Sequence, residues 1–432
     1  MVFSMKTQRA ILYCLLFALI SYGFNYHIGK AFIHLATLLS LYNLLIAFKK
    51  KSVFNISNQK TIWVTSALLA TSAALTFIYY QIFSNHMSER HFLNMFYPAL
   101  FFSIILPSLK VEKRDKYPIL ITAIISCSIM AGAGIIDYFS AGSSGFRTAG
   151  FLNLPIIYAS CMVLMTCWLA ALLLSSITQR NWLIASLCLI AVIAGFASVL
   201  FTGSRGPIIS MGIILLVLIA HNLISNSSVI QKISTITLIL IVSTLSLSLF
   251  PQSKLDNIKS RFQIGVQNAT SALGSERREP NSTGIRLDMW EASLVAISDH
   301  PLTGIGPGTH TTYFPMLEQS GRININTAPL VRFDHMHNDY IQAWLSMGVI
   351  FGTLSFAFIL CFLVLFASKA KNTYRSLAGI SVCSSFILCG LTDVPAHNAA
   401  SLTLFLIIAS LQLSYLQSYV TSSLNKNPAA QN

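Results

Sequence analysis

Two histidines, His335 and His337, lie at the end of a polar stretch, just before an apolar segment that begins near Tyr340. A histidine at a membrane face is a candidate general base, because imidazole can accept a proton near neutral pH. Residues two apart do not share a helical face, so the pair predicts a break near Asn338 that lets His337 start the next helix. The alternatives are a polar helix cap and a His-x-His metal site, although no Cys or Glu stands at ligand spacing.

Two arginines stand where they could bind an anion. Arg205 lies in the turn 202–207, which contains two glycines and separates two apolar segments, so its guanidinium must sit at the membrane edge. Arg286 lies one helical turn before Trp290, near the expected start of a helix. A guanidinium can bind a phosphate through two parallel hydrogen bonds. The alternatives are an interfacial Arg205 that snorkels and a surface Arg286 packed over the Trp290 ring.

One carboxylate, Asp393, lies in the short turn 390–398 before the last apolar segment. It could pair with an arginine or orient His337, and the alternative is a simple helix-end cap. Ionisable side chains at a membrane are functional candidates because an isolated charge there is costly. Together, the arginines, the histidine and the aspartate fit a lipid diphosphate headgroup and a proton acceptor on one membrane face.

The elements that must position these residues are membrane helices. The 432 residues are 54% hydrophobic and 10% charged, whereas about a quarter of the residues in soluble domains are charged. A helix needs about 20 apolar residues to cross a bilayer. The sequence predicts an all-α polytopic membrane protein of about twelve helices, because apolar runs recur near 10–27, 30–48, 61–82, 92–109, 117–140, 155–178, 182–202, 207–224, 230–250, 339–367, 376–392 and 398–419.

We expect one membrane domain with an inserted polar loop. Residues 1–250 would hold nine helices, residues 251–338 the partly helical loop, and residues 339–432 three helices and a tail. Within the loop, residues 284–299 have helical spacing, and Ser282 or Thr283 could cap that helix. The glycine-rich segment 304–308 predicts a tight turn, and residues 309–334 show no clear period.

The charge pattern predicts how the chain crosses the membrane. A net charge of +14 would suggest nucleic acid for a soluble protein, but Lys and Arg collect in the cytoplasmic loops of membrane proteins. With the N-terminus inside, the short outer loops contain only Lys30, Arg90, Arg147 and Arg205. We therefore expect both termini in the cytoplasm, the long loop outside and no nucleic-acid partner. The first apolar run lacks a small-residue cleavage site and is interpreted as a retained helix.

The combination of motifs resembles the O-antigen ligase family, within a wider group that includes O-antigen polymerases and some protein O-oligosaccharyltransferases. The resemblance covers most of the chain. It rests on the helix number, the large late loop, the Ser-Arg-Gly turn, the Arg-x-x-x-Trp helix followed by His-Pro-Leu-Thr-Gly-Ile-Gly-Pro-Gly, and the His-Asn pair that opens the next helix.

The resemblance implies a glycosyltransferase of the Gram-negative inner membrane. Family members transfer a glycan from undecaprenyl diphosphate to an acceptor hydroxyl on the periplasmic face, and ligases use lipid A–core oligosaccharide as the acceptor. Arg205 and Arg286 would hold the diphosphate and His337 would be the catalytic histidine, with no metal or other cofactor. Supporting positions would be Asp393, His335, Trp290 and Asn338.

Two alternatives stay open at this point. Ligases often have a small residue nine positions after His-Asn and another three further on. Here Gly348 fits, but Phe351 occupies the second position and Gly352 comes one residue late. A polymerase, which uses a second lipid-linked glycan as acceptor, is therefore the alternative enzyme. A lipid-linked glycan carrier or flippase would be expected to show broken helices in two related halves, a symmetry that the sequence lacks.

Overall fold

The computed structural model describes residues 5–49, 56–83, 90–141, 147–150, 152–224, 281–324, 333–368 and 374–424, with isolated positions between 229 and 270. Within these ranges the regular secondary structure is helical. The α-helices are α1 Met5–Ser21, α2 Tyr26–Lys49, α3 Ile56–Phe83, α4 Arg90–Ser108, α5 Lys116–Ser140, α6 Pro155–Thr178, α7 Trp182–Phe201, α8 Arg205–Ile224, α9 Ser282–Asp299, α10 His310–Gln319, α11 Asp339–Ser355, α12 Ala357–Ser368, α13 Tyr374–Gly390 and α14 Ala399–Leu424.

The helices agree with the predicted all-α membrane architecture. In the described ranges, 8 helical stretches are long and apolar enough to cross a membrane, and 94–108 and 374–390 form shorter apolar helices. The run 230–250 lies outside the described residues, so a count of twelve stays a prediction. The predicted first span 10–27 is wrong at its end: α1 stops at Ser21, and the Asn25 side chain accepts the N–H groups of His27 and Ile28 to start α2.

Helices α6 and α14 form the centre of the fold. About nine tenths of the membrane-length window is buried in each of them, at 89% in α6 and 94% in α14. The Trp168 indole N–H donates to the Gln412 side-chain oxygen across 3.1 Å, which joins the two helices. A polar pair between helices is favourable in an apolar interior because the alternative is an unsatisfied group. Outer helices expose large apolar residues such as Leu183, Ile190 and Leu216, as helices that face lipid do.

Helices α9 and α10 organise the described part of the polar loop. The Asn281 side chain caps α9 by accepting the N–H groups of Thr283 and Gly284, each at 3.0 Å. The prediction that Ser282 or Thr283 caps this helix is therefore wrong, because both lie inside it. Helix α10 falls in the region 309–334 for which the sequence showed no helical period.

The turn that follows α9 packs against a kink in α11. Gly348 has φ 76° and ψ 169°, a conformation open essentially to glycine alone, and a Cβ there would collide with the Leu302 carbonyl. Two backbone hydrogen bonds join the turn to α11, one on each side of Gly348. The Val349 N–H donates to the Pro301 oxygen and the Ile305 N–H donates to the Leu345 oxygen, each with a nitrogen–oxygen distance of 2.8 Å. The polar loop is thus fastened to α11 by direct backbone contact.

We expect Gly348→Ala to lower stability by about 1–3 kcal/mol, because it forces an L-residue into a glycine-only conformation and adds a clash. Gly212→Ala is the matched control, since a Cβ at Gly212 would meet nothing within 4 Å. Thermal unfolding in detergent should show a lower midpoint for the first variant and an unchanged or higher midpoint for the second. Equal midpoints for the two variants would contradict the kink as a structural requirement.

Candidate active site

His337 lies outside α11, on a backbone of left-handed conformation with φ 49°. The Asn338 side chain caps the helix by accepting the N–H groups of Tyr340 and Ile341, and its amide donates to the Leu391 oxygen at 3.1 Å. The prediction that His337 starts the helix is therefore wrong by two residues. With this uncommon backbone conformation, the imidazole contacts the turn after α13.

The His337 imidazole lies against Asp393. Its Nδ1 is 3.1 Å from the Asp393 Oδ1, and the two side chains are 25% and 3% exposed respectively. The carboxylate is thus buried behind an imidazole that solvent or a ligand can reach. A carboxylate on one ring nitrogen fixes the orientation of the ring and leaves Nε2 to accept a proton from a substrate.

A second His–Asp pair lies beside the first. The Asp339 carboxylate accepts the Ala396 N–H at 3.0 Å and contacts the His397 Nδ1 at 2.8 Å, while the Asp339 N–H donates to the Asp393 carbonyl at 3.1 Å. Both members of this pair are buried. The start of α11 and the turn after α13 are therefore joined at several points. This second pair was not predicted from the sequence.

Trp290 and Gln342 hold the segment in front of His337. The Trp290 indole N–H donates to the Met336 carbonyl at 2.8 Å, and the Met336 N–H donates to the Gln342 side chain at 2.9 Å. The His335 ring stands edge-on to the His337 ring, with centroids 4.3 Å apart. Trp290 therefore links α9, which carries Arg286, to the histidine segment.

The two predicted arginines lie close together. Arg205 begins α8 and donates from Nη2 to the Ser282 hydroxyl at 2.8 Å, next to the start of α9. Burial lowers the pKa of the Arg286 guanidinium, the Asp393 carboxylate acts in the opposite direction, and the nearby Arg205 adds to the lowering. Arg286 still stays a cation, since a guanidinium is not deprotonated in proteins. Two neighbouring guanidiniums repel each other, so an anion between them would be stabilised.

The four predicted residues border two adjoining cavities. A cavity of about 400 Å³ is lined by both arginines, Gly206 and Thr392, and a cavity of about 250 Å³ is lined by His335, His337 and Asp393. A Cβ at Gly206 would collide with the Thr392 side chain. This close contact brings the start of α8 next to the turn that carries Asp393.

A cluster of possible metal ligands also emerges. His335, His337 and Asp393 offer ligand atoms that all lie within 4.8 Å of one another. Two imidazoles and a carboxylate can bind zinc or iron. Only the His-x-His pair of this cluster could be predicted from the sequence, because Asp393 lies 56 residues further along the chain. The same atoms suit a carboxylate-oriented proton acceptor.

Arg147 is a further residue of the site that was not predicted from the sequence. Arg147 was counted as a cation of a short outer loop, yet it lines both cavities. Its Nε donates to the Thr202 carbonyl at 2.8 Å and its Nη2 to the Ser204 hydroxyl at 2.9 Å, which ties it to the turn before Arg205. Its isolated position between two apolar segments was the available signal.

Comparisons with known proteins cover part of this chain. Residues 189–357 match the family described as O-Antigen ligase, a segment that contains Arg205, Arg286 and His337. An uncharacterized protein of Haemophilus influenzae is 26% identical over 186 residues, which cover 43% of this chain and 44% of that protein. The chain thus aligns with under half of this relative's length. The resemblance found in the sequence is confirmed over the matched segment: residues 189–357 of this membrane protein, less than half of the chain, match the O-antigen ligase family.

Proposed function

We propose that this protein is an O-antigen ligase, which transfers a glycan from undecaprenyl diphosphate to a sugar hydroxyl of lipid A–core oligosaccharide. The observation that carries the proposal is the meeting of two guanidiniums, Arg205 and Arg286, with an imidazole held by a buried carboxylate. The family match over the segment containing three of these residues supports it. The site would act at the periplasmic face of the Gram-negative inner membrane, with both chain termini in the cytoplasm.

In the proposed reaction, the larger cavity binds the diphosphate of the donor. Arg205 and Arg286 neutralise its charge and stabilise the further charge that grows on it as the sugar leaves. A diphosphate is already a good leaving group, so no acid has to protonate it. Attack from the face of the sugar opposite the diphosphate inverts the configuration at the anomeric carbon, and no step needs a metal.

His337 is the proposed general base. The acceptor hydroxyl oxygen bonds to the anomeric carbon, its proton passes to the Nε2 of His337, and the sugar–phosphate bond breaks with its electron pair on the phosphate oxygen. Asp393 holds the ring through Nδ1 and stabilises the imidazolium that forms. Trp290, Asn338 and His335 would keep the histidine segment in position.

A transfer assay with purified protein separates the candidate functions. With a defined lipid-linked donor, a ligase forms product on lipid A–core, whereas a polymerase lengthens a second lipid-linked glycan. The departure at Phe351 and Gly352 makes this comparison necessary. We expect transfer to lipid A–core at an unchanged rate in excess chelator. Loss of the activity in chelator would contradict the metal-free mechanism, and movement of the donor without bond formation would favour a carrier.

Arg205→Lys should reduce transfer about 10-fold or more, because an ammonium cannot reproduce the bidentate contact of a guanidinium with phosphate. Arg322→Lys is the matched control. Arg322 is paired with Asp299 on the polar loop and lines neither cavity. Full activity of purified Arg205→Lys protein would remove the proposed role.

His337→Ala should lower the single-turnover transfer rate about 100-fold to 10,000-fold, the usual contribution of a general base. Donor binding should persist, because Arg205 and Arg286 are unchanged. His300→Ala, which removes an exposed imidazole at the end of α9, is the control. Rates measured with saturating donor in detergent or nanodiscs test this, and equal rates for the two variants would exclude His337 as the base.

A further inference from the structure

Arg147 stands at the junction of the two cavities. Of the described residues, Arg147 and Ile156 are the two that both linings share. Ile156 is apolar, so the guanidinium of Arg147 supplies the polar group that borders both spaces. A ligand that extends from one cavity into the other would pass this side chain.

Two hydrogen bonds orient the Arg147 guanidinium. Its bonds to the Thr202 carbonyl and the Ser204 hydroxyl fix its plane. The backbone that follows Arg147 is also held in place. The Thr148 hydroxyl and the Ala149 N–H donate to the Asp137 carboxylate on α5, at 2.8 and 3.1 Å respectively. A cation fixed in advance needs little reorganisation when charge develops beside it.

The position matters because of where the bond would break. This step rests on the proposed function. If the diphosphate occupies the cavity of Arg205 and Arg286 and the base acts from the cavity of His337, the sugar–phosphate bond lies between the two cavities. The phosphate next to the sugar then gains a negative charge at the junction during transfer.

We propose that Arg147 is a third substrate-binding guanidinium, which contacts the sugar-side phosphate of the lipid-diphosphate donor where the two cavities meet. The acceptor oxygen bonds to the anomeric carbon, its proton goes to His337, and the sugar–oxygen bond breaks with its electron pair on that phosphate. The phosphate carries less charge in the intact donor than in the departing diphosphate. Arg147 therefore binds the leaving group more tightly than the intact donor, and the difference accelerates transfer.

The test compares Arg147→Gln, Arg147→Lys and Ser204→Ala in nanodiscs. Ser204→Ala removes one hydrogen bond that orients Arg147 but keeps the guanidinium. Its effect on the rate therefore measures how much of the loss comes from that hydrogen bond alone. Single-turnover transfer gives the rate. Affinities for undecaprenyl diphosphate and for the intact lipid-linked glycan are measured separately, the latter in a His337→Ala background so that the donor is not consumed.

We expect Arg147→Gln to lower the transfer rate about 100-fold and to weaken undecaprenyl diphosphate binding about 10-fold or more, with donor affinity changed less than about 3-fold. Arg147→Lys, which keeps the charge, should recover part of the loss and also serves if the Gln variant fails to fold. Ser204→Ala should lose less than about 10-fold in rate.

Equal changes in the two affinities, unchanged affinities, or a Ser204→Ala loss as large as that of Arg147→Gln would overturn the assignment. These results would leave the proposed function intact, provided that the unmodified protein transfers glycan. Absence of transfer by the unmodified protein, in contrast, would overturn both the proposed function and the role of Arg147.

Discussion

The candidate site depends on the joint between the start of α11 and the turn after α13. Two His–Asp pairs cross this joint in opposite directions, His337 with Asp393 and His397 with Asp339. The inner pair is buried, and its aspartate also binds backbone on the opposite side. Buried polar groups of this kind are stable only when all of them form hydrogen bonds at the same time, so the joint has one favourable arrangement. That arrangement determines where the half-buried His337 imidazole lies.

Charge is distributed unevenly around this joint. Arg147, Arg205 and Arg286 all border the larger cavity, whereas Asp393 borders the smaller one and is buried behind His337. The lowered pKa of Arg286, caused first by burial, indicates that the surroundings oppose its charge. An anion would supply the missing compensation. Arg205 and Arg286 thus lie on one side of the junction, Arg147 lies at it, and the His337–Asp393 pair lies on the other side.

Features set by local sequence could be predicted. Long apolar runs located the membrane-length helices of the described ranges. Features set by contacts between distant residues could not. The Asp339–His397 pair spans 58 residues, and Arg147 meets Thr202 only because α5 and α7 pack together. The cap of α9 was misassigned because Asn281, Ser282 and Thr283 are all suitable capping residues. Helix α10 was missed because it is short and contains Pro315.

The left-handed backbone at His337 limits which residues the position accepts. Glycine and asparagine adopt such a conformation readily, whereas a β-branched residue is strained there. A natural chain with asparagine at this position could therefore adopt the same backbone without carrying an imidazole. Under the proposed mechanism, that single substitution would remove the general base and leave the arginines that bind the donor.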